Sequence, residues 1–157
     1  MASERTPDRD VAIETGITTD PIGRLDAFDD LSTHADGAVL VFQGRVRETN
    51  EGRKVSGLSY EAYGEMAEKE LAAICGEAAA SFEIGAVRAV HRVGDLELGD
   101  VAVVVGVAAP HRNACYEASR FVIEQVKVRL PVWKHERYAD GETGWVGAPA
   151  VTKAASR

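Results

Sequence analysis

Residues 101–138, VAVVVGVAAPHRNACYEASRFVIEQVKVRLPVWKHERY, decide the fold. They open on an apolar, β-branched run (101–108), the composition of a strand. Beyond Pro110, residues Ala114, Ala118, Phe121, Val122 and Val126 recur at the spacing of one helical face, with Asn113 as the expected N-cap. The helix has to stop before Pro131, because a residue ahead of proline is driven out of the helical region. Residues 132–138 then read as a long strand, Ala139-Asp140-Gly141 as a turn, and 144–146 as a short return strand.

Working outward, residues 84–93 are a second apolar run, separated from 101–108 by GDLELGD, whose Gly and Asp residues supply turn chemistry; the pair reads as a hairpin. Before it, Ala67, Leu71, Ile74, Cys75, Ala78 and Phe82 define one face of a helix from about Glu65 to Phe82, entered from a strand at 58–63. The continuous apolar run 38–46 has the signature of a strand buried on both faces. Between them ETNEGRK (48–54) has no periodicity and reads as a mobile loop. Asp20-Pro21 resembles an N-cap and first helical residue, with Leu25, Phe28 and Leu31 on one face of a short helix. Residues 11–17 suggest an edge strand, while 1–10 read as disordered and 147–157 as a flexible tail. With no repeats or linker, the expectation is one α+β domain over 11–146, with a largely antiparallel sheet and two long helices.

Composition narrows the function. A chain of 157 residues is the length of one domain, and 45% hydrophobic with 27% charged residues is ordinary for a globular protein. No apolar run approaches the roughly 20 residues that cross a bilayer, and the polar N-terminus carries no signal or transit pattern, so the expected location is cytoplasmic. The net charge of -7 opposes nucleic acid and anionic membranes at long range. Cys75 and Cys115 lie in helical patterns and read as small hydrophobes; neither they nor the four histidines have metal-ligand spacing, so neither metal nor cofactor is expected.

Against that acidic background, cations cluster at element ends. His111 and Arg112 precede the second helix, where free N–H groups and the positive dipole end favour an anion. Lys127 lies near its other end, close in sequence to Arg129 and Lys134, and like charges lower the proton affinity of a partly buried lysine. His135 extends that cluster, and Arg45-Val46-Arg47 ends the apolar run beside the 48–54 loop, where a guanidinium can grip phosphate or carboxylate through two bonds. His91-Arg92 lies within a strand and reads as structural, and Trp133 and Trp145 as core or interface aromatics. His111-Arg112 and Lys127 are some fifteen residues apart, roughly 22 Å along one helix, too far for one small pocket. If both ends serve one ligand, a twofold homodimer must bring one of them from a second subunit.

Three segments, GAVLVFQGRVRETNEGRKVSGLSYEAYGEMAEKEL, VHRVGDLELGDVAVVVGVAAPHR and VKVRLPVWKHE, occur in the order and spacing of a known family. Residues 37–146 resemble the large, catalytic subunit of molybdopterin synthase. The resemblance implies an α/β hammerhead-type fold, dimerised at the centre of a heterotetramer with two small ubiquitin-like sulfur carriers. Each carrier would insert its C-terminal Gly-Gly thiocarboxylate into the large subunit. The implied reaction installs two sulfurs on cyclic pyranopterin monophosphate as the dithiolene of molybdopterin, which makes the chain a sulfurtransferase of molybdenum cofactor biosynthesis. Lys127 and Lys134 match the family's catalytic lysines. Arg45, Val46, Arg47, His111, Arg112, Lys134, His135 and Glu136 match its substrate and phosphate site. The chain departs from the family after Val146, where Gly147-Ala148-Pro149 and an Ala-rich end replace a longer charged tail. Two other classes remain to be weighed: a docking module for a ubiquitin-like tail, which would show no turnover, and a binding protein for another phosphorylated metabolite, which would need no carrier.

Overall fold

The computed structural model describes residues 10–23 and 28–146. Along the chain run β1 (Ala12–Thr18), β2 (Ala38–Arg45), β3 (Thr49–Asn50), β4 (Arg53–Ala62), α1 (Gly64–Ser81), β5 (Ala86–Arg92), β6 (Gly94–Leu96), β7 (Val101–Ala109), α2 (Arg112–Arg129), β8 (Val132–Tyr138) and β9 (Thr143–Val146). Two sheets result, one in the order β1-β5-β7-β2 and one in the order β3-β4-β8-β9 with β6 also on β4. Every pairing is antiparallel except β1 on β5, so the α+β, largely antiparallel expectation holds, divided between two sheets.

Strand β7 is the centre of the first sheet and is buried along nearly its whole length. Helices α1 and α2 cover one face: Ala67, Leu71, Ile74, Cys75 and Ala78 meet Cys115, Ala118, Val122 and Val126 over Val87, Val103, Val105 and Val107. On the other face Phe28 and Leu31 pack on Ala86, Val104 and Ala108. A third cluster, Val46, Leu58, Leu96 and Ala102, fills the junction between the sheets. Each Val, Leu, Ile or Phe side chain so buried contributes about 1.5–3 kcal/mol.

Several expectations need correction. The run 38–46 is not a strand buried on both faces: β2 is the sheet edge, with Val39 and Phe42 exposed, and the doubly covered strand is β7. An uninterrupted apolar run does not distinguish the two positions. Residues 48–54 form a tight hairpin rather than a loop, β3 turning into β4 through Glu51 and Gly52, both at positive φ (48° and 80°) as a two-residue type I′ turn requires. Strand β4 therefore starts five residues earlier than the apolar pattern suggests. The 84–93/101–108 hairpin is present, but its connector contains β6, which crosses to the second sheet. Residues 21–23 are not helical, so Asp20 is no N-cap; its backbone N–H donates to Thr18 Oγ1 (3.0 Å). Of the rest of that expected helix, 24–27 lie outside the described residues and 28–31 form a turn closed by the Leu31 N–H donating to the Phe28 carbonyl (3.1 Å); the N-terminus expected to be disordered (1–9) and the expected tail (147–157) also lie outside the described residues. Helix α2 is capped two residues before the expected position, with His111 at the N-cap and no side-chain capping bond, and ends at Arg129 with Leu130 as its C-cap, ahead of Pro131.

Candidate functional site

The end of β2 is built to aim cations. A bulge between Gly44 and Arg45 shifts the register on β7, and such bulges bend a strand and redirect its side chains. Gly44 is required there, since a Cβ would stand 2.7 Å from Val103 Cγ1. Val46 is then clamped: its N–H donates to Asp100 O (2.9 Å) and its carbonyl accepts from the Gly99 N–H (2.8 Å). Arg45 donates to the Gly99 carbonyl from Nε and Nη2 (3.1 and 2.9 Å), which ties it to the turn before β7. Arg47 is left pointing at the junction of the sheets.

Strand alternation brings the second set of groups. On β8, Lys134 and Glu136 share a face, opposite Tyr60 and Leu58 of β4. Helix α2 supplies Lys127 from its last turn, at the margin of the buried stripe. The result is a cleft of about 120 Å³ lined by Arg45, Val46, Arg47, Asn50, Tyr60, Lys127, Lys134 and Glu136 with Gly44, Thr49, Leu58, Ala102 and Val103. Six of the nine residues expected at the site are brought together here.

The other three are elsewhere in this chain. His111 and Arg112 sit at the opposite end of α2, roughly 22 Å from Lys127 at 1.5 Å per residue. His135 points to the other face of β8, against Trp145, with ring centroids 4.7 Å apart.

Electrostatics separate the two lysines. Lys134 pairs with Glu136 at 3.3 Å, and the Glu136 side chain is only 3% exposed. Burial disfavours charge on that carboxylate, but hydrogen bonds from Asn50 and Tyr138 and the Lys134 charge outweigh it and hold its pKa below the ordinary range. Among the described residues Lys127 has no carboxylate in ion-pair contact. Burial, then Lys134, then Arg47 lower its proton affinity, so the amine is more readily deprotonated than a surface lysine. Arg129, expected to contribute, does not: it is paired to Glu70 (2.7 Å) and Glu77 (2.6 Å) of α1.

Sequence reasoning missed Asn50 and Tyr60 as lining residues, and the contact that His91, read as structural, makes behind them. Asn50 lay in the segment read as a loop, whereas hairpin pairing places its amide 3.1 Å from each Glu136 oxygen. Burial, then the Glu136 charge, raises the Tyr60 phenol pKa. His91 contacts the Tyr60 ring edge-on at 4.9 Å, and burial is the main reason its pKa falls to about 4. Only the strand alternation of 58–63 and 86–92 could have signalled these two. A larger cleft, about 600 Å³, lies by Arg92, Asp95, Asp100 and Arg137. Its cations are already engaged, Arg92 with Asp100 (3.2 Å) and Arg137 with Asp95 (3.4 Å), so the smaller cleft is the better anion site.

Residues 17–129 match the family model described as MoaE protein. The chain belongs to the MoaE family. The matched MoaE segment holds Arg45, Arg47, His111, Arg112 and Lys127, while Lys134 and Glu136 lie beyond it. Among relatives, the molybdopterin synthase catalytic subunit of Halalkalibacterium halodurans is 49% identical over 111 residues, 71% of this chain and 70% of that protein. The Bacillus subtilis molybdopterin synthase catalytic subunit is 39% identical over 138 residues, 88% of this chain and 87% of that protein. The crystal structure of molybdopterin synthase from Staphylococcus aureus superposes with a TM-score of 0.75 at 38% identity, covering 82% of this chain and 93% of that one.

Proposed function

We propose that this chain is the catalytic subunit of a molybdopterin synthase. It transfers sulfur from the C-terminal thiocarboxylate of a small ubiquitin-like carrier to cyclic pyranopterin monophosphate and forms the molybdopterin dithiolene. The observation that carries the reading is Lys127, an amine of lowered proton affinity that lines one cleft with Arg47 and Lys134 in an otherwise acidic MoaE-family chain.

Both reactants are anions, and a cleft that presents several cations in a partly dehydrated setting holds them together and stabilises charge as sulfur bonds to carbon. In this reading Arg47 and Lys134 bind the phosphate or the thiocarboxylate, Glu136 keeps Lys134 oriented, and Lys127 exchanges protons with the reacting pterin. Two sulfurs enter, one per carrier: at one carbon sulfur replaces an oxygen lost as water, at the other it displaces the phosphate oxygen and opens the cyclic ester, and in each case water cleaves the acyl carbon–sulfur bond and leaves a carboxylate on the carrier.

His111 and Arg112 complete the site from a second copy of the chain, in a homodimer at the centre of a heterotetramer. The support for this is distance: within one chain they are a helix length from Lys127. Residues 11–146 act as the single folded unit, and the reaction takes place in the cytoplasm, where small metabolite and carrier meet. Among the described residues no helix is long and apolar enough to cross a membrane.

The test is conversion of cyclic pyranopterin monophosphate to molybdopterin by the purified chain with a thiocarboxylated carrier. Product that depends on both proteins supports the reading. Carrier binding without product would instead indicate a docking module, and saturable pterin binding that ignores the carrier a metabolite-binding protein.

A further inference from the structure

Asn50 stands on the β3–β4 hairpin, 86 positions before Glu136, yet its amide nitrogen lies 3.1 Å from both carboxylate oxygens. Nothing else in its position calls for an amide. The neighbouring turn is made by Glu51 and Gly52, and Asn50 pairs with Arg53 through the backbone. An NH2 group centred on a carboxylate is a donor-only contact: it fixes the plane of the carboxylate and favours the ionised form. Glu136 is buried, and without such donors its charge would be costly to keep.

We propose that Asn50 is a positioning residue of the cleft: it holds the Glu136 carboxylate in the orientation that pairs with Lys134, and so keeps Lys134 a fixed anion-binding cation while Lys127 remains unpaired. The inference rests on the synthase reading for its kinetic consequence, though not for its structural one. The hairpin thereby becomes part of the site, because moving β3 withdraws the Asn50 donor from Glu136.

The groups facing Glu136 come from each element packed around it. Tyr138 on the same strand donates to it, and on β4 Leu58 lies directly opposite with Tyr60 two residues along, across from Lys134. From α2 and the end of β2, Lys127 and Arg47 line the same cleft. Arg53 sits over the Tyr138 ring at 3.6 Å and keeps that second donor in place. The polar groups among these are cations or donors toward Glu136, so removing the Asn50 donor is a partial loss and leaves the carboxylate in its site.

The test uses the full chain with Asn50→Ala and the near-isosteric Asn50→Asp. Titration of the glutamate side-chain carboxyl carbons by NMR, with the Glu136 signal assigned by its loss in Glu136→Gln, reads the carboxylate directly and requires no turnover. The expected result is an upward move of the Glu136 midpoint by about one pH unit in Asn50→Ala and by more in Asn50→Asp, where a second carboxylate faces the first. In the reconstituted reaction the acid limb of kcat/KM should move by the same amount, with KM for the pterin rising several-fold and kcat changing less. A Glu136 midpoint within a few tenths of a unit of the parent in both variants would overturn the inference. If the chain makes no molybdopterin but the midpoint moves, the synthase reading fails and the positioning role stands.

Discussion

His91 has the clearest pH consequence of any single residue. It is 4% exposed, its Nδ1–H donates to the Arg92 carbonyl at 2.8 Å, and its pKa falls from 6.5 to about 4, through burial first and then the nearby Lys127 charge against the favourable backbone bond. The folded chain holds this imidazole neutral where the unfolded chain protonates it. Stability attributable to His91 is therefore unaffected above pH 6.5 and is lost as pH falls from 6.5 toward 4, by roughly 3 kcal/mol. Denaturant titrations across that range should show a flatter decline for His91→Gln than for the parent chain; parallel declines would contradict the assignment. The sequence marked this histidine only as a structural strand residue, which its burial supports. Its place behind the cleft was not legible, because contact with Tyr60 depends on β6 drawing the two sheets together.

At the scale of elements, the hydrophobic pattern sufficed wherever one face was buried. The stripes of α1 and α2, the stop before Pro131, and β8 as the strand that presents Lys134 were all readable from spacing and proline position. What spacing lacks is information on which strand lies at an edge and on turns made without Asn-Gly or Asp-Gly. Both failures fall at the cleft, on β2 and on the Glu51-Gly52 hairpin, so Arg47 was found through its charge while Asn50 was missed. The bulge after Gly44 offers a test of this geometry. In Gly44→Ala the new Cβ must displace Val103 or the strand itself, at a cost of about 1–3 kcal/mol. Because the displaced segment carries Arg45 to Arg47, KM for an anionic substrate should rise more than kcat falls. Steady-state kinetics beside a melting curve would check this, and a variant with unchanged stability and KM would count against the bulge as the device that aims these arginines.

The whole molecule poses the question of the second subunit. A cleft with Arg47, Lys127 and Lys134 at one end of α2, and His111-Arg112 at the other, makes a shared site a matter of complementation. Homodimers of Lys127→Ala and of His111→Ala/Arg112→Ala should each be nearly inactive. A doubly tagged mixed dimer should regain about half the parent activity, since twofold symmetry gives it one site with every group intact. A mixed dimer as inactive as its parents would place His111-Arg112 outside the site. The length of the second helix and the resemblance read from three segments both pointed to a homodimer, but which subunit supplies each group was not legible, because a single chain cannot state what its neighbour contributes. Lys127 is the group on which turnover should depend most, and the direct measurement is single-turnover formation of molybdopterin from cyclic pyranopterin monophosphate and thiocarboxylated carrier by the parent, Lys127→Arg and Lys127→Ala chains. Both variants should bind carrier normally and fall by about 10²–10⁴-fold in rate, the arginine included, because it keeps the charge but does not release a proton. Parent-like turnover by Lys127→Arg would mean that the cleft needs only a cation there and that the proton-exchange role is wrong.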